Sequence, residues 1–199
     1  MLRAMGIEYK LLNAAFKSLG GMQSQLEQEA AQGWSVQAAG PFYVFLARDG
    51  GPEREQQVAR VLFHDTDWAI RLAQERAAEG WTLAALGPSF AFFSRPKGST
   101  VPTTLRWHGR PIGLMTPGGI RTLLTSEGRD GWTVRAMTTS AALFEKPSSG
   151  ANPVEHTLDG TLLRTAGMTE RLLEERAAAG WRLACAGRLF LAFSREVPE

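Results

Sequence analysis

Four basic residues recur at a fixed distance from a tryptophan. Gly-Trp pairs occur at 33–34, 80–81, 131–132 and 180–181, and each tryptophan is followed 14 residues later by Arg48, Arg95, Lys146 or Arg195. Such groups bind anions, and the phosphates of a nucleic-acid backbone are the most plausible partner. The alternative is structural, because a charge at a strand end discourages edge pairing or forms an ion pair with a helix carboxylate. Duplication copies structural residues as readily as functional ones.

A second candidate lies in the third repeat, where the sequence reads Arg106-Trp107-His108-Gly109-Arg110. Residues 101–150 hold six basic residues, Arg135 and Lys146 among them, against three acidic ones. An aromatic ring between cations suits single-stranded nucleic acid, since bases stack on the ring while arginine contacts phosphate. Trp107 has no counterpart in the other repeats, but ordinary packing of one divergent repeat would explain it equally well.

Catalytic and cofactor motifs are missing from the sequence. There is no HExxH, CxxC, GxSxG, phosphate-binding loop or GxGxxG. His64, His108 and His156 fall near the first strands of three repeats, but their distances to the next tryptophan differ. Exposed strand-end histidines are therefore a simpler expectation than a metal site. Cys185 replaces an alanine of the other repeats and is expected in the core. We expect a protein that is not an enzyme and has no cofactor or metal.

The positions above belong to a fourfold internal repeat. The Gly-Trp pairs are 47, 51 and 49 residues apart, and residues 71–95 match residues 171–195 at 15 of 25 positions. Repeats one and three share other features, which gives an ABA′B′ pattern. The pattern predicts two duplicated halves, 1–97 and 104–199, joined by a Pro/Gly/Ser-rich linker, with one compact unit left open as an alternative.

Periodicity predicts a β-α-β-β order in each repeat. First strands are expected at Glu8–Ala15, Gln56–Phe63, Leu105–Leu114 and Glu155–Arg164, and the glycine before each tryptophan suits a left-handed helix cap. Asp65, Thr66 and Thr116 are candidate N-caps. The expected class is α+β, with antiparallel or mixed sheets, helices outside and a pseudo-twofold axis between the halves.

The third strand of each repeat is apolar on both faces. Tyr43, Phe45, Phe90, Phe92 and Phe190 lie on the face that we expect to point away from the helices. A strand of this kind is buried on both sides, so another repeat or another chain must cover it. The second option predicts a homodimer and a protein-interaction or scaffold function.

Each repeat resembles a small bacterial domain family of unknown function. Its members are β-α-β-β units with a Glu-Tyr-Lys-like first strand, Gly-Trp after the helix and a basic residue after the last strand. Glu8-Tyr9-Lys10, Gly33-Trp34 and Arg48 match this pattern, and the first motif occurs only in repeat one. The resemblance implies a fold and no chemistry.

Composition narrows the function classes further. The chain has 199 residues, 44% of them hydrophobic, and 22 basic against 20 acidic residues, so charge alone assigns no polyanion partner. No apolar run reaches the length of about 18–20 residues that a membrane helix needs. We therefore expect a cytoplasmic protein with no membrane partner. The leading hypothesis is binding of single-stranded DNA, in a role that would suit DNA repair.

Overall fold

The computed structural model describes residues 6–15, 17–61, 66–161 and 164–197, in which the order strand, helix, strand, strand occurs four times. We number these units one to four. Unit one contains β1 (Glu8–Asn13), α1 (Leu19–Ala30), β2 (Ser35–Ala39) and β3 (Tyr43–Arg48). Unit two contains β4 (Arg54–Arg60), α2 (Thr66–Ala77), β5 (Thr82–Leu86) and β6 (Phe90–Pro96). Unit three contains β7 (Leu105–Pro111), α3 (Pro117–Arg129), β8 (Thr133–Met137) and β9 (Ala141–Pro147). Unit four contains β10 (Val154–Gly160), α4 (Ala166–Ala178), β11 (Arg182–Ala186) and β12 (Phe190–Glu196).

The strands form four separate three-stranded antiparallel sheets, one from each unit, which confirms the α+β class. In every sheet the third strand of the unit lies in the middle, with the first strand on one side and the second on the other. The first strands end two to four residues earlier than the sequence predicts. The cause is pairing, because the central strand begins at Tyr43, Phe90, Ala141 or Phe190 and offers no partner beyond that residue.

Each helix ends where the sequence predicts. Gly33, Gly80, Gly131 and Gly180 have φ between 78° and 82°, a left-handed conformation that favours glycine. At the other end, Thr116 is the N-cap of α3, as predicted, and its hydroxyl accepts a hydrogen bond from the Gly119 N–H. Thr66 is the first residue of α2, whereas Asp65 lies outside the described residues. Within the described parts of the chain, no helix has the length and apolar character needed to cross a membrane.

A β-bulge in each second strand corrects the predicted strand faces. Val36 lies opposite Leu46, but Ala38 lies opposite Phe45, so the strand gains one residue between these pairs. The same shift occurs in β5, β8 and β11. A shift of one residue moves the following side chains to the other face of the sheet. The four residues that were expected to share a face with Val36 and its counterparts therefore lie on the opposite face: Ala38, Ala85, Ala136 and Cys185.

The four units close into a ring. Their second strands contact each other in the order β2, β5, β8, β11 and back to β2, so these strands are innermost. Each helix packs on the first strand of the following unit: α1 on β4, α2 on β7, α3 on β10, and α4 on β1. The arrangement resembles the blades of a small propeller, with helices filling the outer gaps between blades. Residues 1–97 and 104–199 therefore contact each other on both sides, through β5 with β8 and through β11 with β2.

Each hydrophobic cluster is built by two neighbouring units. Phe45 packs with Leu172 and Leu173 of α4, and Phe92 packs with Met22 and Leu26 of α1. In the same way Leu143 packs against α2 and Ala192 belongs to the cluster of α3. The expectation that another part of the chain covers the second apolar face is confirmed. The strand faces on which the homodimer hypothesis was based are therefore occupied within the chain.

The ring has two distinct ends. Gly40 lies next to Ala186 of unit four, Gly87 next to Ala39 of unit one, and Gly187 next to Met137 of unit three, so the hairpins between second and third strands meet at one end. The connections from first strand to helix lie at the same end, because each first strand runs antiparallel to the third. We call this the hairpin end, and the opposite end the Gly-Trp end.

Candidate nucleic-acid interface

The repeated basic residues lie at the Gly-Trp end, each against the tryptophan of its own unit. The hairpin produces this contact, since the tryptophan precedes the second strand and the basic residue is near the end of the third. The cation lies 4.3–4.6 Å from the ring centroid in all four units. The pairs are Arg48–Trp34, Arg95–Trp81, Lys146–Trp132 and Arg195–Trp181. Such cation–π contacts contribute about 0.5–1 kcal/mol at exposed sites.

In three units a glutamate of the first strand neutralises the basic residue. Glu8 forms an ion pair with Arg48 directly across the two strands. Glu55 lies 2.7 Å from the Arg95 Nε, and Glu155 lies 2.6 Å from the Arg195 Nε. The hydrogen bond from Arg95 lowers the pKa of the Glu55 carboxyl below its usual value. Arg48, Arg95 and Arg195 therefore hold the edge of each sheet, as the structural alternative requires.

Helix ends also use these cations. Arg95 donates a hydrogen bond of 3.1 Å to the carbonyl of Glu79, and Lys146 donates one of 3.1 Å to the carbonyl of Asp130. These carbonyls lie just after α2 and α3, where cations are favourable. The carboxylate partner predicted for the basic residue is thus on the first strand, and the helix supplies a carbonyl instead.

Unit three differs from the other three at this position. Arg106 lies directly opposite Lys146 in the register, where units one, two and four have a glutamate opposite the basic residue. The Arg106 guanidinium is 5.7 Å from the centroid of Trp132, and the Lys146 ammonium is 4.6 Å from it. Two cations therefore share one indole ring, and Arg106 is exposed. We call Arg106 and Lys146 the cation pair.

A second group in unit three lies beside the cation pair. The His108 ring stacks on Trp132 with centroids 4.1 Å apart, and its Nε2 is 2.9 Å from a Glu127 oxygen. Arg110, half of whose side chain is exposed, donates a hydrogen bond of 2.6 Å to the other oxygen of Glu127. Burial lowers the pKa of His108 below its usual value, and Glu127 opposes that shift. The surface therefore carries Arg106, Arg110 and Lys146 against one carboxylate.

Trp107 is directed away from this surface. It packs against the cluster that contains Trp81, Leu83 and Phe93 of unit two, and its indole N–H has no hydrogen-bond partner among the described residues. The expectation that Trp107 is an exposed base-stacking platform is wrong. Successive residues of a strand point to opposite faces, so Trp107 faces inward when Arg106 and His108 face outward.

Arg135 is also less exposed than expected. It lies in the bulge of β8 and forms an ion pair with Glu145, a buried carboxylate of β9. Just over a quarter of the Arg135 side chain is exposed. Of the residues predicted for repeat three, the structure brings Arg106, His108, Arg110 and Lys146 together and places Trp107 and Arg135 elsewhere.

Sequence reasoning missed a set of bonds between neighbouring units. The Gln56 amide oxygen accepts a hydrogen bond of 2.9 Å from the Val36 N–H, and His156 Nε2 accepts one of 3.3 Å from the Val134 N–H. The Tyr9 hydroxyl accepts the equivalent bond, 3.0 Å, from Leu183. Trp107 occupies the fourth such position. The signal is present in the sequence, since these residues directly follow the residues opposite the repeated cations.

The remaining titratable candidates are structural. His156 Nδ1 donates to the Leu124 carbonyl at 3.1 Å while Nε2 accepts from Val134, so the ring is neutral, and burial lowers its pKa to about 4. Cys185 is fully buried, and burial raises the pKa of its thiol to about 12. His64 lies outside the described residues. Within the described ranges, no cluster of His, Cys, Asp and Glu could hold a metal ion.

Comparison with known proteins adds no relative. No protein-family profile, no curated protein and no solved structure matches the chain. The resemblance to a small bacterial domain family therefore stays a prediction, and the site must be interpreted from its own geometry.

Proposed function

We propose that this protein is a non-catalytic binding protein that contacts the phosphates of nucleic acid, most simply single-stranded DNA, through the surface of unit three. The observation that carries the proposal is the cation pair. At this position the other units have Glu8, Glu55 or Glu155 opposite an arginine, and unit three has two cations.

The cation pair is unfavourable for the isolated protein, which supports a role in binding an anion. Like charges directly opposite on neighbouring strands are destabilising, and a local departure from a favourable pattern is typical of functional sites. A phosphate placed between Arg106 and Lys146 would remove the repulsion. The planar guanidinium of Arg106 offers two parallel donors to phosphate oxygens, and Lys146 adds a point charge. Arg110 lies close enough in the same strand to contact a neighbouring phosphate.

The compactness of the charged surface favours a single strand as the ligand. Duplex binding by shape alone uses an extended basic face, whereas the equivalent cations of units one, two and four are paired with glutamates. Base stacking has no support from Trp107, and Trp132 is only 8% exposed beneath its cations. Phosphate contact, with little sequence preference, is the mechanism that the geometry supports.

Fluorescence anisotropy with labelled single- and double-stranded oligonucleotides, at two salt concentrations, tests this function. We expect binding that weakens with salt, with a slope of log K against log salt of about 0.7 per phosphate contacted on a single strand. Arg106→Glu restores the pairing of the other units and should abolish most of the binding and lower the slope by about one. Arg171→Glu on the exposed face of α4 makes the same change in net charge and serves as the control. Absence of wild-type binding at low salt would remove the proposal.

We also infer that the chain arose by duplication of a two-unit half. The last turns of α1 and α3 place Glu29 and Glu127 beside Lys10 and His108 of their own first strands. The same helix position holds arginine in units two and four, where Arg176 pairs with Asp159. These alternating pairs support the ABA′B′ pattern and the pseudo-twofold relation between the halves.

A further inference from the structure

Large apolar side chains are exposed almost exclusively at the hairpin end. Among the described residues, seven large hydrophobic side chains are exposed, and six of them lie in loops or first helical turns of this end. These six are Leu19, Phe42, Leu114, Met115, Met168 and Leu189. Phe42, at a hairpin tip, is 66% exposed, and Leu114 is fully exposed. Units one, three and four all contribute, so the side chains surround the ring axis at a common level.

The same end carries positive charge and little negative charge. Its described loops contain Lys17, Arg164 and Arg188, and these loop segments contain no aspartate or glutamate. The N-termini of the helices also point to this end, where Ser18, Thr116 and Thr165 are N-caps. Helix N-termini carry partial positive charge. By contrast, loops of the Gly-Trp end contain Asp49, Glu53, Glu79 and Asp130.

We propose that the hairpin end docks on the surface of a lipid membrane that contains anionic lipids. Apolar tips standing out separately at one level fit insertion into the boundary between headgroups and acyl chains. The basic residues and the helix N-termini fit negatively charged headgroups, and each Lys or Arg near such a surface contributes about a fivefold gain in binding. This inference concerns lying on a bilayer, whereas the sequence expectation considered segments that span one.

The charge of this end argues against a second copy of the chain as the occupant. A symmetric dimer would place Lys17, Arg164, Arg188 and the helix N-termini against their own copies. A planar anionic surface meets all of these groups with the opposite charge. It also accepts apolar tips from three units without the close shape complementarity that a protein partner needs.

Co-sedimentation with vesicles of phosphatidylcholine, with and without phosphatidylserine, tests the proposal. The wild-type chain should sediment with the phosphatidylserine vesicles and bind pure phosphatidylcholine vesicles at least about tenfold more weakly. The double variant Phe42→Ser with Leu114→Ser should reduce binding by about tenfold or more, since each apolar side chain that leaves water is worth roughly that factor. Val101→Ser is the matched control, because Val101 is 72% exposed at the opposite end and should not affect binding.

Three results would overturn the proposal. Failure of the wild-type chain to bind phosphatidylserine vesicles is the first. Equal loss of binding by the Val101 control and the double variant is the second, because it would show no role for the hairpin end. The third is a concentration-dependent dimer, formed without lipid and dispersed by the double variant, which would assign the same end to self-association. Arg106→Glu should leave vesicle binding unchanged, so this surface and the cation pair are tested separately.

Discussion

Arg106 and Lys146 lie directly opposite each other on β7 and β9, and both side chains lie against the ring of Trp132. The same geometry in units one, two and four joins a glutamate to an arginine. The fold therefore tolerates either arrangement, and the choice of two cations in unit three is independent of the architecture.

The first prediction is that Arg106→Glu makes the protein more stable. The substitution replaces a like-charge cross-strand pair with an opposite-charge pair of the kind seen three times in the same chain. We expect the free energy of unfolding to rise by about 0.5–1 kcal/mol, measured by urea denaturation at low salt. The gain should shrink at high salt, where exposed charges are screened. A loss of stability would mean that Arg106 makes a favourable contact that its register position does not indicate.

The second prediction assigns Trp107 to the core. Trp107→Ala should lower the free energy of unfolding by about 3 kcal/mol, because the ring packs in the cluster shared by units two and three. Trp107→Phe should cost much less, since it keeps most of the ring and removes an indole N–H that has no hydrogen-bond partner in the described structure. Both variants should keep their affinity for oligonucleotides while folded. Selective loss of binding in a stable Trp107→Phe variant would return this residue to the interface.

Much of each unit can be predicted from local sequence. Gly33 and Trp34, with their three counterparts, mark a helix end and a strand start because glycine alone takes the left-handed cap without strain. The contact between Trp34 and Arg48 then follows from the hairpin. The orientation of Trp107 and the face of Ala38 could not be predicted, because both depend on register and a bulge shifts register without a clear compositional mark.

The ring itself is a long-range feature that periodicity does not reveal. An apolar pattern shows that Phe45 is buried, but only the tertiary structure shows that α4, from the far end of the chain, covers it. The candidate site has the same limit. Arg106 was recognised as basic, but its meaning depends on Glu8, Glu55 and Glu155 occupying the equivalent register positions.

The third prediction concerns the close contact between α3 and β10. A Cβ atom added to Gly128 would lie 2.0 Å from the Val154 carbonyl oxygen and 2.8 Å from His156 Nδ1. Gly128→Ala should therefore force the helix and strand apart and lower the free energy of unfolding by about 3 kcal/mol. Gly20→Ala in the first turn of α1 is the control, because nothing lies within 4 Å of the added atom. Equal stability of the two variants by chemical denaturation would contradict this packing.

The fourth prediction is a pH dependence that originates at His156. The folded protein holds this ring neutral, since Nε2 accepts the Val134 N–H bond, and its pKa is about 4 against 6.5 for a free histidine. The unfolded chain therefore binds a proton at higher pH than the folded chain does. The stabilisation is complete above pH 6.5 and is lost as pH falls from 6.5 to about 4, by about 2–3 kcal/mol in total. Below that range both states are protonated and the loss levels off.

Gln56 supplies the control for this prediction, because its amide makes the same bond to Val36 without titrating. In His156→Gln, an amide oxygen should accept the Val134 N–H bond at every pH. Urea denaturation of the two proteins between pH 7 and pH 4 separates this contribution from that of the carboxylates, which both share. The wild-type chain should lose more stability than the variant by about 2–3 kcal/mol over this range. Parallel curves would mean that His156 is protonated in the folded protein and that the Val134 bond is absent.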